Sequence, residues 1–365
     1  MNIATFCTTR FNSLRSPRSI RSFPVSKVIA VRFTASSLSI AAWATLAAAI
    51  PGKSYCSSPG NASIDSIHQV PNVPNLENLF IRSNGDVLVT SSSSPSLYLL
   101  DADHGSAHLL ANIPEATGLT GIAELERDVF YVAAANVTGT RPIAIGTNAV
   151  WRVDLRKYRA PNGARTLRTP KVELVARVPS AGLLNGMTRF SPRDDSNLFI
   201  SDSALGNVIR LNVKTALYET VIENESTAGA VGSFVAVNGL RTFRNHLFFT
   251  NQARRSFSRI PFAPSTGLPT GPAELIINGT LGFADDFALS RNAERAWILL
   301  NSQNVLLQVD IASKTSNVVL NSTSLEEGSS AAVVPDVEGC PSLYVTGSTP
   351  TGGVSVGALF EINFS

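Results

Sequence analysis

From about residue 60 onward the chain is a succession of short apolar runs separated by Gly, Asn, Asp, Ser and Pro, with no amphipathic helix of useful length. One unit recurs six times: a polar residue, often beside Gly, an apolar stretch, a turn, an aromatic or β-branched strand ending in small polar residues, and a further strand. The copies are LENLFIRSNGDVLVTSSSSPSLYLLD near Glu77, TGIAELERDVFYVAAAN from Thr120 (continued by NAVWRVDL), and NGMTRFSPRDDSNLFISDSALGNVIRLN from Asn185. They continue with NGLRTFRNHLFFTNQARRSFSRIPF from Asn238, DDFALSRNAERAWILLNSQNVLLQVD from Asp285 and SSAAVVPDVEGCPSLYVTGS from Ser329, closed by GALFEINF. With Glu77, Gly121, Asn185, Asn238, Asp286 and Ser330 as anchors, the steps are 44, 64, 53, 48 and 44 residues. The longest step contains the basic segment LRKYRAPNGARTLRTPK, which reads as an insertion. A multi-strand unit at this period cannot bury both faces alone, so its copies must stack around an axis. The expected fold is all-β: a single-domain, six-bladed β-propeller over residues 53–365, preceded by a leader over 1–52.

Composition narrows the function classes. Of 365 residues 44% are hydrophobic and only 16% charged, which excludes a disordered chain or a coiled coil. The first acidic residue is Asp65, and residues 1–64 hold seven basic ones, so the rest carries 23 basic against 27 acidic residues, a net of −4. A mildly acidic body without a Lys/Arg stripe argues against nucleic acid as a partner. The Arg- and Ser-rich start, the apolar run Leu38–Ile50 and Pro51-Gly52-Lys53 describe a secretory signal peptide with a long basic region. A mitochondrial presequence or a mis-assigned start codon are the alternatives. The apolar run is too short to give a stable membrane span, which needs about 20 residues.

Three cysteines occur, at 7, 56 and 340. Cys7 belongs to the leader. A propeller commonly completes its last blade with a strand from the other terminus, which would bring Cys56 and Cys340 together as a disulfide; two unrelated thiols are the alternative. Glycosylation sequons stand at Asn61, Asn136, Asn224, Asn278, Asn321 and Asn363, close to the roughly five that a Ser/Thr-rich chain has by chance. They permit secretion without requiring it.

Signatures of nucleophilic, zinc-protease, nucleotide or dinucleotide chemistry are missing from the sequence. His68, His104, His108 and His246 are scattered and read as surface or turn residues. Trp151 and Trp297 read as core, and Arg254-Arg255 as an exposed strand edge with an outside chance of meeting an anionic substrate. The anchors are more informative. The residue opening the innermost strand of each blade points into one mouth of the channel, which places Glu77, Thr120, Asn185, Asn238, Asp285 or Asp286, and Ser330 on one ring. Asn251, ending a strand in the same region, joins them as a candidate substrate contact. Converging carboxylates and amide oxygens are hard ligands suited to Ca²⁺ or Mg²⁺. A pocket with a few convergent polar groups is equally a small-molecule site. Asn-Gly and Asp-Asp are also ordinary turn pairs, so a purely folding role stays open for each anchor.

The openings LENLFIRSNGDVLVT, NGMTRF, VNGLRTFRNHLFFTN and DDFALS resemble those of the gluconolactonase/regucalcin family of six-bladed propellers. That resemblance implies a divalent cation at the channel mouth, held by Glu77, Asn185, Asn238 and Asp286. The series NGM…FISD…NGL…FFTN…DDFAL, with a signal-like leader and a Cys near each end, is similar to a fungal branch that includes hetero-Diels–Alderases of tropolone–sesquiterpenoid pathways. The implied activity is capture of a tropolone-derived quinone methide and its cycloaddition to a humulene-type alkene, with no cofactor required. Glu77 and Asp286 would serve proton or metal duty, and Asn185 and Asn238 would orient the oxygenated ring. Thr120, Asp285, Ser330 and Asn251 would contact substrate. A metal-dependent lactonase and a non-catalytic secreted binding propeller are the competing expectations.

Overall fold

In the computed structural model the described residues are 61–102, 104–137, 145–158, 169–335 and 341–364, and they form six four-stranded antiparallel sheets. Blade one runs β2 (Leu79–Ile81), β3 (Val87–Ser91), β4 (Ser94–Asp101) and β5 (Ser106–Asn112), after the amino-terminal strand β1 (Ala62–Gln69). Blade two is β6 (Gly118–Glu126), β7 (Val129–Ala135), β8 (Ala149–Asp154) and β9 (Lys171–Arg177). Blade three is β10 (Leu184–Arg189), β11 (Asn197–Asp202), β12 (Asn207–Asn212) and β13 (Tyr218–Ile222). Blade four is β14 (Val237–Phe243), β15 (His246–Asn251), β16 (Ser256–Pro261) and β17 (Glu274–Ile277). Blade five is β18 (Ala284–Leu289), β19 (Arg295–Leu300), β20 (Val305–Asp310) and β21 (Thr315–Asn321). Blade six combines β22 (Ala331–Val333), β23 (Ser342–Thr351) and β24 (Val354–Phe364) with β1 as its outermost strand.

The first strands of successive blades touch in a closed circle, β2 to β6, β10, β14, β18, β22 and back to β2. This is the six-bladed propeller expected from the repeat. The apolar core is correspondingly divided into six clusters, one at each blade junction. Between blades three and four, for example, Phe190 stacks on Phe199 with centroids 4.0 Å apart and Phe262 closes on their edges. Trp151 and Trp297 lie in these clusters, as the sequence indicates. In the chain the basic insertion falls between β8 and the start of β9, and its residues 159–168 lie outside the described residues.

What fixes one blade to the next at the axis is polar. Each junction has a side-chain hydroxyl or an amide reaching a carbonyl on the neighbouring inner strand. Thr90 donates to Thr120 O (2.7 Å), Thr120 to Leu184 O (2.8 Å) and Ser201 to Asn238 O (2.7 Å). Thr250 donates to Asp285 O, the Asp286 amide to Ser329 O (2.9 Å), and Thr346 to Glu77 O, which completes the circuit. The same closeness explains the recurring glycines. A Cβ on Gly121 would stand 2.1 Å from Asn185 O, and one on Gly186 2.3 Å from Asn238 O. The Asn-Gly pairs are therefore places where two backbones meet inside the sheets, and the turn explanation does not apply to them.

Closure follows the expected route. β1 pairs antiparallel with β24 from Ala62 opposite Phe364 to Gln69 opposite Ala358, and Ser342 at the start of β23 lies opposite Asn363. The chain thus enters β1 and β23 at the same end of blade six. Cys56, Cys340 and the leader lie outside the described residues. Of the sequons, Asn61, Asn224, Asn278 and Asn321 are exposed, while Asn136 and Asn363 are half-buried. Among the described residues no helix is long and apolar enough to cross a membrane.

Two substitutions test this account of the junctions by denaturant midpoint. Gly186→Ala forces overlap with Asn238 and is expected to cost about 1–3 kcal/mol. Thr346→Val keeps the shape but strands the Glu77 carbonyl, also at about 1–3 kcal/mol. An unchanged midpoint for both would show that the blades are held by their apolar faces alone.

Candidate functional site

At the entry of each inner strand two consecutive residues oppose a single residue of the next strand. Pairing jumps from Leu119 to Ile122, Leu184 to Met187, Val237 to Leu240 and Ala284 to Phe287 while the partner strand advances by only two. Each jump is a β-bulge, a device that re-aims side chains. Glu77-Asn78 and Ser329-Ser330 face Thr90 and Thr346 in the same way. The equivalent residues that face the mouth are therefore Glu77, Thr120, Asn185, Asn238, Asp285 and Ser329.

Five of these six are linked side chain to side chain. Asn185 Nδ2 donates to Asn238 Oδ1 (2.8 Å), and Asn238 Nδ2 donates to Asp285 Oδ1 (2.7 Å). Ser329 Oγ lies 3.0 Å from Asp285 Oδ2 and 2.7 Å from Glu77 Oε2. Thr120 turns to a backbone carbonyl instead. Asn301, just past β19, adds a bond from its Nδ2 to Asp285 Oδ2 (3.0 Å).

Two corrections to the sequence expectations follow from the bulges. Asp285, not Asp286, stands beside Glu77, and Ser329, not Ser330, bridges the two carboxyl groups. Asp286 and Ser330 point to a deeper layer. There Asp286 Oδ2 accepts from Ser330 Oγ (2.7 Å) and pairs with the Arg241 guanidinium at 2.8 Å. Arg241, which the sequence reading passed over, also donates to the Leu240 and Ala331 carbonyls and lies 5.6 Å from the Phe287 ring centroid. Gly239 leaves the room for Asp286, since a Cβ there would meet Asp286 Oδ1 at 2.1 Å. Asn251 is fully buried and ties down the loop after β13 through bonds to the Ser226 and Ala228 carbonyls, so it does not face substrate. Arg254 and Arg255 lie in the turn between β15 and β16 rather than along a strand edge. None of the four histidines reaches the ring; His104 pairs with Asp101, and His68 and His108 contact nearby serines.

The carboxyl pair has a definite proton requirement. A serine hydroxyl owns one proton, so Ser329 can bond both Glu77 and Asp285 only when one of those carboxyls is protonated. Electrostatics agree. Burial, with Asp286 and Glu327 nearby, pushes Glu77 from the ordinary 4.5 up to about 7, against the lowering effect of Ser329 and Asn78. Burial and the neighbouring Glu77 raise Asp285 well above the usual carboxylate range. The two titrate as a unit that holds one proton near neutrality.

One further atom lacks a partner: Asn185 Oδ1 is buried and accepts no hydrogen bond. Such an atom calls for a ligand donor or a cation. Glu77, Asp285 and Asn185 carry hard oxygen atoms, the ligand type that Ca²⁺ or Mg²⁺ takes, with Asn238 standing between Asn185 and Asp285. Among the described residues no three His, Cys, Asp or Glu side chains cluster closely enough to hold a metal by themselves. At the same end of the molecule the β11–β12 turn carries exposed Leu205, and the connections into β14 and β18 carry exposed Val231, Phe234 and Phe283.

No protein-family model matches the chain. A protein named as a hetero-Diels–Alderase from Sarocladium schorii is 27% identical over 246 residues, covering 60% of this chain and 58% of that relative. A second protein of the same name from a Phoma species is 25% identical over 252 residues, covering 63% of this chain and 68% of the relative. The chain thus spans a little over half of the first relative's length. Among solved structures, regucalcin from Agrobacterium tumefaciens, described as calcium-binding, superposes with a TM-score of 0.56 at 14% identity, covering 80% of this chain and 91% of that one. A PQQ-bound aldose sugar dehydrogenase from Streptomyces coelicolor gives 0.54 at 16%, covering 84% and 98%. The resemblance to hetero-Diels–Alderases lies in the sequence. That to regucalcin lies in the fold alone.

The raised pair predicts a pH dependence with a fixed sign. The folded carboxyls hold a proton that the unfolded ones release at lower pH, so their contribution to stability is present below 4.5 and is lost as pH rises through about 7. In metal-free buffer, Glu77→Gln should flatten this loss and melt higher than the parent above neutrality. An identical pH profile in the variant would show that no proton is shared.

Proposed function

We propose that the channel mouth holds an oxygenated electrophilic ring beside an apolar alkene and joins them by hetero-Diels–Alder cycloaddition. The partners would be a tropolone-derived quinone methide and a humulene-type sesquiterpene. The observation that carries this reading is the shared-proton pair Glu77–Ser329–Asp285, in one side-chain chain with Asn185, whose oxygen is unpartnered, and with exposed apolar side chains of blades three to five at the same end. The names of the two sequence relatives support it.

The chemistry follows from the proton count. A hydroxymethyl precursor becomes a quinone methide by losing its hydroxyl as water and its ring hydroxyl proton. The proton held by the Glu77–Asp285 pair goes to the leaving hydroxyl, and the resulting pair of carboxylates takes the ring proton, so the site ends as it began. General acid–base help of this kind contributes about 10²–10⁴-fold. The cycloaddition then forms a C–C and a C–O bond without moving a proton. Holding the partners face to face can lower that barrier by about 7–11 kcal/mol. Leu205, Phe234 and Phe283 would shelter the alkene and limit attack of water on the intermediate. Asn185 and Asn238 orient the ring oxygens, while Arg241 neutralises Asp286 beneath them. A divalent cation, when bound through Glu77, Asp285 and Asn185, would supply Lewis-acid polarisation of a bound oxygen.

The same hard-oxygen set favours one competing reading, a metal-dependent lactone hydrolase. The assays separate them. Glu77→Gln and Asp285→Asn should slow formation of cycloadduct from the hydroxymethyl precursor by about 10²-fold or more, yet leave trapping of a preformed quinone methide nearly intact. Product stereochemistry should differ from that of the spontaneous reaction, and a chelator should change little. Chelator-sensitive lactone cleavage would support hydrolysis instead. No turnover in either assay, with an ion tightly held, would support a binding propeller.

A further inference from the structure

Beside the ring, between blades four and five, lies a cavity of about 370 Å³ whose lining includes Gln252, Arg255, Phe283, Ser302 and Gln303. It opens at the same end as the carboxyl pair. Phe283 stands two residues before Asp285, and the short 3₁₀ turn Asn301–Gln303 sends Asn301 to Asp285 while its next two residues face the cavity. The wall is specifically shaped. Gln303 lies across Gly282, where a Cβ would stand 1.9 Å from its Oε1.

Arg255 is the unusual member. Arg254, Arg241 and Arg259 each pair with a carboxylate. Arg255 donates its Nε–H to the Leu281 carbonyl (3.3 Å), and no carboxylate among the described residues meets it. It occupies the left-handed region, at φ 55°, which a non-glycine residue adopts at a cost. A guanidinium keeps its charge at any working pH and offers a planar fork to paired oxygens. Phe283, half exposed on the same wall, offers an aromatic face.

We propose that this side pocket binds a planar ring carrying delocalised negative charge on adjacent oxygens, with Arg255 on the oxygens and Phe283 against the ring. The proposal rests on the mouth being a small-molecule site, and the charge recognised here is carried by ring oxygens other than the hydroxyl whose proton the Glu77–Asp285 pair takes. It does not depend on which reaction follows.

Titration calorimetry on the full chain provides the test, with ionised tropolone and its neutral methyl ether as probes. The parent should bind the anion saturably and the ether at least about tenfold more weakly, since a charged hydrogen bond is lost. Arg255→Gln, which keeps a non-glycine residue in the turn, should weaken the anion about tenfold or more and leave the ether unchanged. Arg255→Lys should fall between, because it keeps the charge and loses the fork. Equal affinity of the parent for anion and ether, or parent-like anion binding by Arg255→Gln, would overturn the proposal. The comparison of anion and ether on the parent decides the matter even if the variant does not fold. Anion binding through Arg255 without cycloadduct formation would remove the proposed reaction and leave this site standing.

Discussion

The bond from a hydroxyl on one blade to a carbonyl on the next holds the axis of this molecule together. Thr90, Thr120, Ser201, Thr250 and Thr346 each make it, and the Asp286 amide makes it at the junction of blades five and six. Each bond is modest alone, about 1 kcal/mol net, but each satisfies a backbone carbonyl at a blade junction. In five of these six bonds the acceptor is the carbonyl of a mouth-facing residue itself: Thr120, Asn238, Asp285, Ser329 or Glu77. The contacts that close the fold therefore also fix the origin of every side chain at the mouth except Asn185, where the bond falls on the preceding residue, Leu184.

That coupling explains what could be read in advance and what could not. The six-fold spacing predicts the blade count, and it predicts the mouth position of Thr120, Asn185 and Asn238 because there the neighbour is a glycine with no rival side chain. In Asp285-Asp286 and Ser329-Ser330 both members of the pair are polar, and only the bulge decides which faces the mouth. A bulge depends on pairing between strands, so no local pattern announces it. Asn251 shows the opposite failure. It shares the composition of the site yet spends its amide on the Ser226 and Ala228 carbonyls. Arg241 was legible only as a basic residue, since its meaning comes from what lies across the axis; for Arg255 the sequence suggested a strand edge and an anionic substrate but not the turn that carries it.

The electrostatics of the mouth form two levels. Below, Arg241 and Asp286 cancel, with Ser330 completing the carboxylate's shell. Above, Glu77 and Asp285 compete for one proton across Ser329. Asp286 still raises both upper carboxyls, but burial is the larger cause for each. A site of this kind can give a proton and accept another without a change in its net charge.

The strand that begins the described chain is also the one that seals it. Because Ala62–Gln69 covers the hydrogen-bonding edge of the last strand from Ala358 to Phe364, proteolytic trimming from the amino end has a firm boundary. Cleavage upstream of Ala62 leaves the sixth sheet whole. A cut only a few residues further on would bare a long, largely apolar edge and invite assembly with other copies.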